Sequence, residues 1–146
     1  MLYRMLYSSN AASPMTSADL EQILVDARSG NEARDVTGAL IYVDGVFLQI
    51  LEGERETVKE LVASIGGDVR HAAMKVFHEA EIPERAFDDW RMAYLAPDVA
   101  EMSRWADLEG TGSIGELLDQ VHRDAQKVPK ILVSVMEAIA ARSTGA

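Results

Sequence analysis

Gln49 is the residue most at odds with its neighbours, because it interrupts the apolar run VFLQIL between Phe47 and Leu51. A primary amide carries two N–H donors and an acceptor, and leaving such groups without partners in a core costs about 1–3 kcal/mol. Either a ligand binds this amide, or nearby main chain or water satisfies it. Tyr7 shares a strand face with Met5 and Tyr3, and its phenol needs a hydrogen-bond partner once buried. Taken alone it reads as core. Asn31 follows Gly30 at the expected end of a helix, where left-handed capping by itself accounts for such a pair. His78 falls on an apolar strand face and His122 on an expected helix, at spacings that suggest no metal site, so neither is assigned chemistry. The chain has no cysteine, which excludes a disulfide framework, a thiolate metal site, a cysteine nucleophile and an iron–sulfur cluster.

These side chains belong to a chain of 146 residues, a length that one core serves. Hydrophobic residues make up 48% and charged residues 26%, the balance of an ordinary globular protein able to form a core. Net charge is -10, so the average surface repels phosphate backbones and anionic lipid. Neither nucleic acid nor membrane is expected as a partner. No apolar run resembles a signal peptide or a membrane span, which leads to the expectation of a cytoplasmic protein.

Periodicity supplies the elements that must position the polar residues. Leu2 to Ser9 reads as a first strand, and Thr16 caps a first helix with Leu20, Ile23, Leu24 and Ala27 on its apolar face and Gly30 as its stop. Asp44-Gly45 between two β-rich runs predicts a two-residue hairpin joining strands at 36–43 and 46–52. That register sets Leu40 opposite Gln49 and Tyr42 opposite Phe47 on one side of the sheet. The other side carries Ala39, Ile41, Val43, Val46, Leu48 and Ile50, so both faces need a cover. Val58, Leu61, Val62 and Ile65 predict a second helix ended by Gly66-Gly67, followed by an alternating strand at 73–82 and a short last strand at 91–95. The order β-α-β-β-α-β-β predicts an α+β, ferredoxin-like sheet with two helices on one face. Beyond Pro97, the spacing of Leu117, Leu118 and Val121, and of Ile131, Leu132, Val135, Met136 and Ile139, predicts a C-terminal helical cap on the other face, with Trp105 in its core.

Taken together with their spacing, Tyr7-Ser8-Ser9, the stretch NEARDVTGALIYVDGVFLQILEG from Asn31 to Gly53, RHAAMKV from Arg70 and FDDWRM from Phe87 resemble a BLUF domain, the flavin-dependent family of blue-light sensors. The resemblance covers about residues 1–95, which makes these the flavin-binding domain and residues 96–146 an extension of the same domain. It implies the same ferredoxin-like arrangement, FAD as cofactor, and a photoreceptor rather than an enzyme.

Carried onto this chain, the resemblance implies Gln49 as the switching glutamine, Tyr7 as the light-active tyrosine and Asn31 as the residue holding the polar edge of the flavin. Ile23 and Ile65 then become apolar walls, and Phe47 a ring contact or packing on the Gln49 face. Arg70 and His71 match the basic pair after the second helix, with Arg28 and Arg34 as further cations for the pyrophosphate. Gly30 stands where many members of the family carry a polar or aromatic side chain. Trp90 and Met92 match the tryptophan and methionine that relay the signal, placed two apart on one side of the last strand, and which of them packs beside Gln49 is open at this point. With no room expected for an attached output domain, output would pass to a separate protein effector, and the apolar tail suggests a homo-oligomer. The other readings of the same residues are a small flavoprotein with dark redox activity and a cofactor-free ferredoxin-like interaction module.

Overall fold

The structure, a computed structural model, describes residues 2–67, 71–87, 91–105, 113–124 and 127–145. Strand β1 (Leu2–Ala11) leads into helix α1 (Ser17–Arg34), then the hairpin β2 (Thr37–Val43) and β3 (Val46–Glu54), helix α2 (Arg55–Gly66), β4 (His71–Glu81) and β5 (Ala93–Leu95). Three helices follow: α3 (Val99–Trp105), α4 (Ile114–Arg123) and α5 (Lys127–Gly145). The five strands form one sheet in the order β4-β1-β3-β2-β5, antiparallel except for the parallel pair of β2 with β5.

The hairpin forms because Asp44 and Gly45 both take positive φ, 48° and 79°, as a type I′ turn requires. Val43 therefore stands opposite Val46, Leu40 opposite Gln49 and Tyr42 opposite Phe47, the register expected from the turn. The Tyr42 and Phe47 rings lie 5.0 Å apart across it. At Gly38 the two strands approach so closely that a Cβ would sit 1.9 Å from the Ile50 carbonyl oxygen. That contact explains the glycine in the Thr37-Gly38 pair.

Side-chain alternation splits the core into two layers. On one face Tyr3, Met5, Tyr7, Leu40, Phe47 and Leu51 pack against Ile23 and Leu24 of α1 and Val58, Leu61 and Val62 of α2. On the other, Leu6, Ile41, Val43, Leu48 and Ile50 pack against Met102 of α3, Leu117 and Val121 of α4, and Ile131, Val135 and Ile139 of α5. The cap expected from the second apolar face is thus present, with Trp105 half-buried against it. Helix α3, short and built on Asp98, whose Oδ1 accepts the Glu101 N–H at 2.7 Å, was not legible from periodicity.

Two boundaries differ from expectation in ways that matter for the site. Helix α1 starts at the Thr16 cap, with reciprocal Thr16–Asp19 bonds, but it runs through Gly30 to Arg34 and ends at Asp35 in the left-handed conformation. A helical glycine costs only about 1 kcal/mol relative to alanine, which the packing of Ile23, Leu24 and Asn31 offsets. Strand β5 begins at Ala93, so Met92 precedes it and does not lie on a strand.

Candidate functional site

Tyr7 and Gln49 face each other across the β1–β3 pair, and Leu40 stands opposite Gln49 on its other side. The Tyr7 hydroxyl donates to Gln49 Oε1, and Gln49 Nε2 donates to Met92 Sδ at 3.7 Å. All three residues are buried. The amide is therefore held at both ends, by a phenol and by a thioether, and the thioether is the weaker partner. Met92, one of the two relay candidates, lies beside Gln49. Trp90 lies outside the described residues.

Gln49 and Leu40 form the floor of a cleft of about 150 Å³ between α1 and α2. One wall comes from Ile23, Ala27 and Gly30 of α1, the other from Leu61, Ser64 and Ile65 of α2, and Asp26, Asn31 and Arg34 add polar groups. Helical spacing explains this set, because Ile23, Ala27, Gly30 and Arg34 are separated by four, three and four residues and so share one stripe. At Gly30 the missing side chain leaves room for Arg34 to fold back along the helix. Arg34 Nη1 donates to the Gly30 carbonyl at 3.2 Å, and a Cβ on Gly30 would lie 2.9 Å from that nitrogen.

Of the residues expected at a flavin, the structure brings Ile23, Asn31, Gln49 and Ile65 to the cleft, with Tyr7 bonded to the floor and Phe47 buried on the same face of the sheet. Arg28 does not line it. Its Nε donates to the Met92 carbonyl at 3.1 Å. Asn31 Nδ2 likewise donates to the Arg91 carbonyl, at 2.5 Å. Arg70 and the side chain of His71 lie outside what the structure describes, as does that of His122. Two aliphatic walls facing each other over a floor that ends in an amide suit a flat ring system with one hydrogen-bonding edge, and Arg34 supplies a cation at the rim.

Glu52 escaped the sequence reading. Its carboxylate is fully buried on the cap-side face, with Oε2 receiving Arg4 Nε at 2.9 Å and Arg4 Nη2 at 2.8 Å and Oε1 receiving the Phe87 N–H at 2.8 Å. Arg85 adds bonds to the Glu52 carbonyl and Thr37 Oγ1, both at 3.0 Å, and to the Asp35 carbonyl at 2.7 Å. These contacts fasten residues 85–87 to the end of the hairpin. The available signal was Glu52 continuing the inward series Val46, Leu48, Ile50, where a carboxylate demands a cation. Finding Arg4 as its partner needed the β1–β3 register.

Elsewhere, Tyr3 donates to Glu79 Oε1, with Arg55 and Lys59 over its ring at 5.4 and 5.5 Å. Its pKa is pushed above the ordinary phenol value, first by that bond and then by burial. Burial, and then the charge of Arg4, hold His78 below the usual imidazole value. Among the described residues no group of three His, Asp or Glu is placed to hold a metal, and no helix is long and apolar enough to cross a membrane.

The family model described as BLUF, sensors of blue-light using FAD, matches residues 2–93. The photoactivated adenylate cyclase subunit beta of Euglena longa is 37% identical over 92 residues, 62% of this chain and 11% of that protein. Subunit alpha of Euglena gracilis is 40% identical over 86 residues, 59% of this chain and 8% of that protein. The chain thus spans about a tenth of the length of these curated relatives. Among solved structures, the dark state of the BLUF protein BlrB superposes with a TM-score of 0.74 at 25% identity, over 94% of this chain and 96% of that one. The ground state of BlsA gives 0.75 at 29% identity, over 91% and 89%.

Proposed function

This chain belongs to the BLUF family, sensors of blue light using FAD, and from that premise we propose that it is a blue-light photoreceptor whose switch is the bonded row Tyr7–Gln49–Met92. One observation carries the proposal: the Gln49 amide lies on the floor of the cleft with its oxygen bonded to a phenol and its nitrogen to a thioether. FAD suits the residues present. Ile23 and Ile65 would sandwich the ring, Asn31 and Gln49 would meet its polar edge, and Arg34 would face its charged portion. The proposal keeps Phe47 at the Gln49 face, Arg70 and His71 as cations for the pyrophosphate, and Trp90 as a relay residue near Met92.

When bound, FAD supplies absorption of blue light and the transient acceptance of an electron and a proton. Tyr7 gives up both and takes both back, so no net redox change remains. Gln49 meanwhile rotates or tautomerises, exchanging its donor and acceptor directions without moving the backbone. Asparagine would fall short of the reach, and leucine has neither group. Reversal of the amide replaces the N–H facing the Met92 sulfur with an oxygen, and the segment entering β5 is biased between two arrangements.

Output goes to a separate protein effector by way of the helical cover, since β3 carries Gln49 on one face while Leu48 and Ile50 pack beneath the cover on the other. The net charge of -10 favours a partner with a basic patch, and the tail favours self-association. The adenylate cyclase named in the relatives belongs to proteins of which this match covers about a tenth. A cytoplasmic site of action completes the reading.

The test is the absorption spectrum in the dark, under blue light and during recovery, for the unmodified chain and for Tyr7→Phe. The expected result is a flavin spectrum that moves reversibly to longer wavelength in the former, and FAD retained without the shift in the latter. A normal photocycle in Tyr7→Phe overturns the switch assignment. Flavin that only bleaches points to dark redox activity, and colourless protein to an interaction module.

A further inference from the structure

Residues 91 and 92 are held from α1 by two side chains three positions apart, and so on neighbouring parts of the helix surface. Asn31 Nδ2 donates to the Arg91 carbonyl at 2.5 Å and Arg28 Nε to the Met92 carbonyl at 3.1 Å. Met92 Sδ meanwhile receives Gln49 Nε2 at 3.7 Å. The main chain of Met92 is thus gripped by one element and its sulfur by another. Strand β5, which follows directly, is an edge strand of three residues with β2 as its partner. So short a ladder does little to fix where its first residue enters. Arg91 is held by its own Nη1 on Asp35 Oδ1 at 3.1 Å and on the Val36 carbonyl at 3.3 Å, and the Met92 main chain is held by the Arg28 bond.

We propose that Arg28 is a positioning residue of the switch, holding the Met92 main chain so that the sulfur stays against the Gln49 amide. This assigns Arg28 a task other than cofactor charge, and it rests on the photoreceptor reading above. The cleft-lining stripe of α1 runs through Ala27 and Gly30, and Arg28, about 100° further round the helix from Ala27, is turned out of it toward the segment before β5. A guanidinium suits the task because it stays charged and presents its donors in a fixed plane, so one N–H can grip a carbonyl through a photocycle that moves protons nearby.

The experiment compares the FAD-loaded chain with Arg28→Ala, Arg28→Lys, Met92→Ala and the double variant Arg28→Ala/Met92→Ala. Arg28→Ala is expected to retain FAD and to change the rate of return to the dark spectrum by at least about fivefold, as loss of a charge-assisted bond would. Arg28→Lys, which keeps a cationic donor but not the fixed plane of the guanidinium, should fall between the unmodified chain and Arg28→Ala. In the Met92→Ala background, adding Arg28→Ala should change the rate by less than about twofold, because a residue acting through Met92 has nothing left to act on. An equal effect in both backgrounds overturns the proposal, as does loss of FAD from Arg28→Ala at a concentration that saturates the unmodified chain.

A second readout does not depend on the photocycle. Trypsin cleavage of the Arg91–Met92 bond in the dark should accelerate at least about tenfold in Arg28→Ala, with sites in α4 and α5 unchanged. If the unmodified chain shows no light response, the photoreceptor reading fails while this cleavage still decides the clamp. Unchanged cleavage refutes the clamp whatever the spectra show.

Discussion

Replacing Glu52 by leucine should strongly destabilise the end of the hairpin. The carboxylate is fully buried and accepts two N–H groups from Arg4 and one from the Phe87 main chain, all within 2.9 Å. Leucine leaves a guanidinium facing apolar surface and an amide hydrogen without an acceptor. Breaking a buried ion pair by removing one partner costs about 3–5 kcal/mol. The Arg4 side chain keeps 16% exposure and recovers some hydration, which offsets part of the orphaned Phe87 amide. The net expectation is about 4 kcal/mol, a large share of a total that runs to roughly 5–15 kcal/mol for a domain. At about 2–4 °C per kcal/mol for a chain of this size, Tm should fall by roughly 8–16 °C. Glu52→Gln keeps an acceptor for Phe87 but sets an NH2 donor where Oε2 accepts both Arg4 bonds, so about 3 kcal/mol is expected.

The assay is urea and thermal unfolding followed by circular dichroism at one fixed FAD concentration, since bound ligand raises Tm by mass action. The decisive comparison is the double variant Arg4→Leu/Glu52→Leu, which removes both charges. It should recover at least about 1 kcal/mol over Glu52→Leu alone, because no buried charge is left without a partner. A Glu52→Leu protein within about 1 kcal/mol of the unmodified one, or a double variant as unstable as the sum of the singles, would refute the pairing as the source of stability.

Two further outcomes follow from local geometry. Gly38→Ala sets a Cβ 1.9 Å from the Ile50 carbonyl oxygen, so β2 and β3 must part; a loss of about 3 kcal/mol is expected, and an unchanged melting curve would contradict the close approach. His78 has a native pKa below its unfolded value of about 6.5, so the unfolded chain binds more protons in the interval between them. Stability from this group is complete above pH 6.5 and declines as pH falls toward the lowered native value. His78→Gln should flatten that slope in Tm measured from pH 7.5 to 5.5, and an identical slope in the variant would assign the effect elsewhere.

Much of the site was legible because it depends on short-range rules. Asp44-Gly45 dictates a two-residue turn, the turn dictates the register, and the register by itself sets Gln49 opposite Leu40 and on one face with Phe47. Alternation along the same strands marked a second apolar face, and the cap formed by α3, α4 and α5 covers it. Helix α1 runs on past Gly30, the stop that its composition suggests, because a glycine ends a helix only where packing does not carry it onward.

What the sequence alone determined, then, is the set of faces and the pairing of the hairpin, since these follow from backbone dihedrals and a side-chain period of two. Tertiary structure decided the rest of the machinery: Arg28 and Asn31 on carbonyls 64 and 60 residues away, Met92, just ahead of β5, beside Gln49, and Arg4 on Glu52. Such contacts join side chains to groups whose positions depend on how separate elements pack, and nothing in the local pattern of either partner specifies the distance between them.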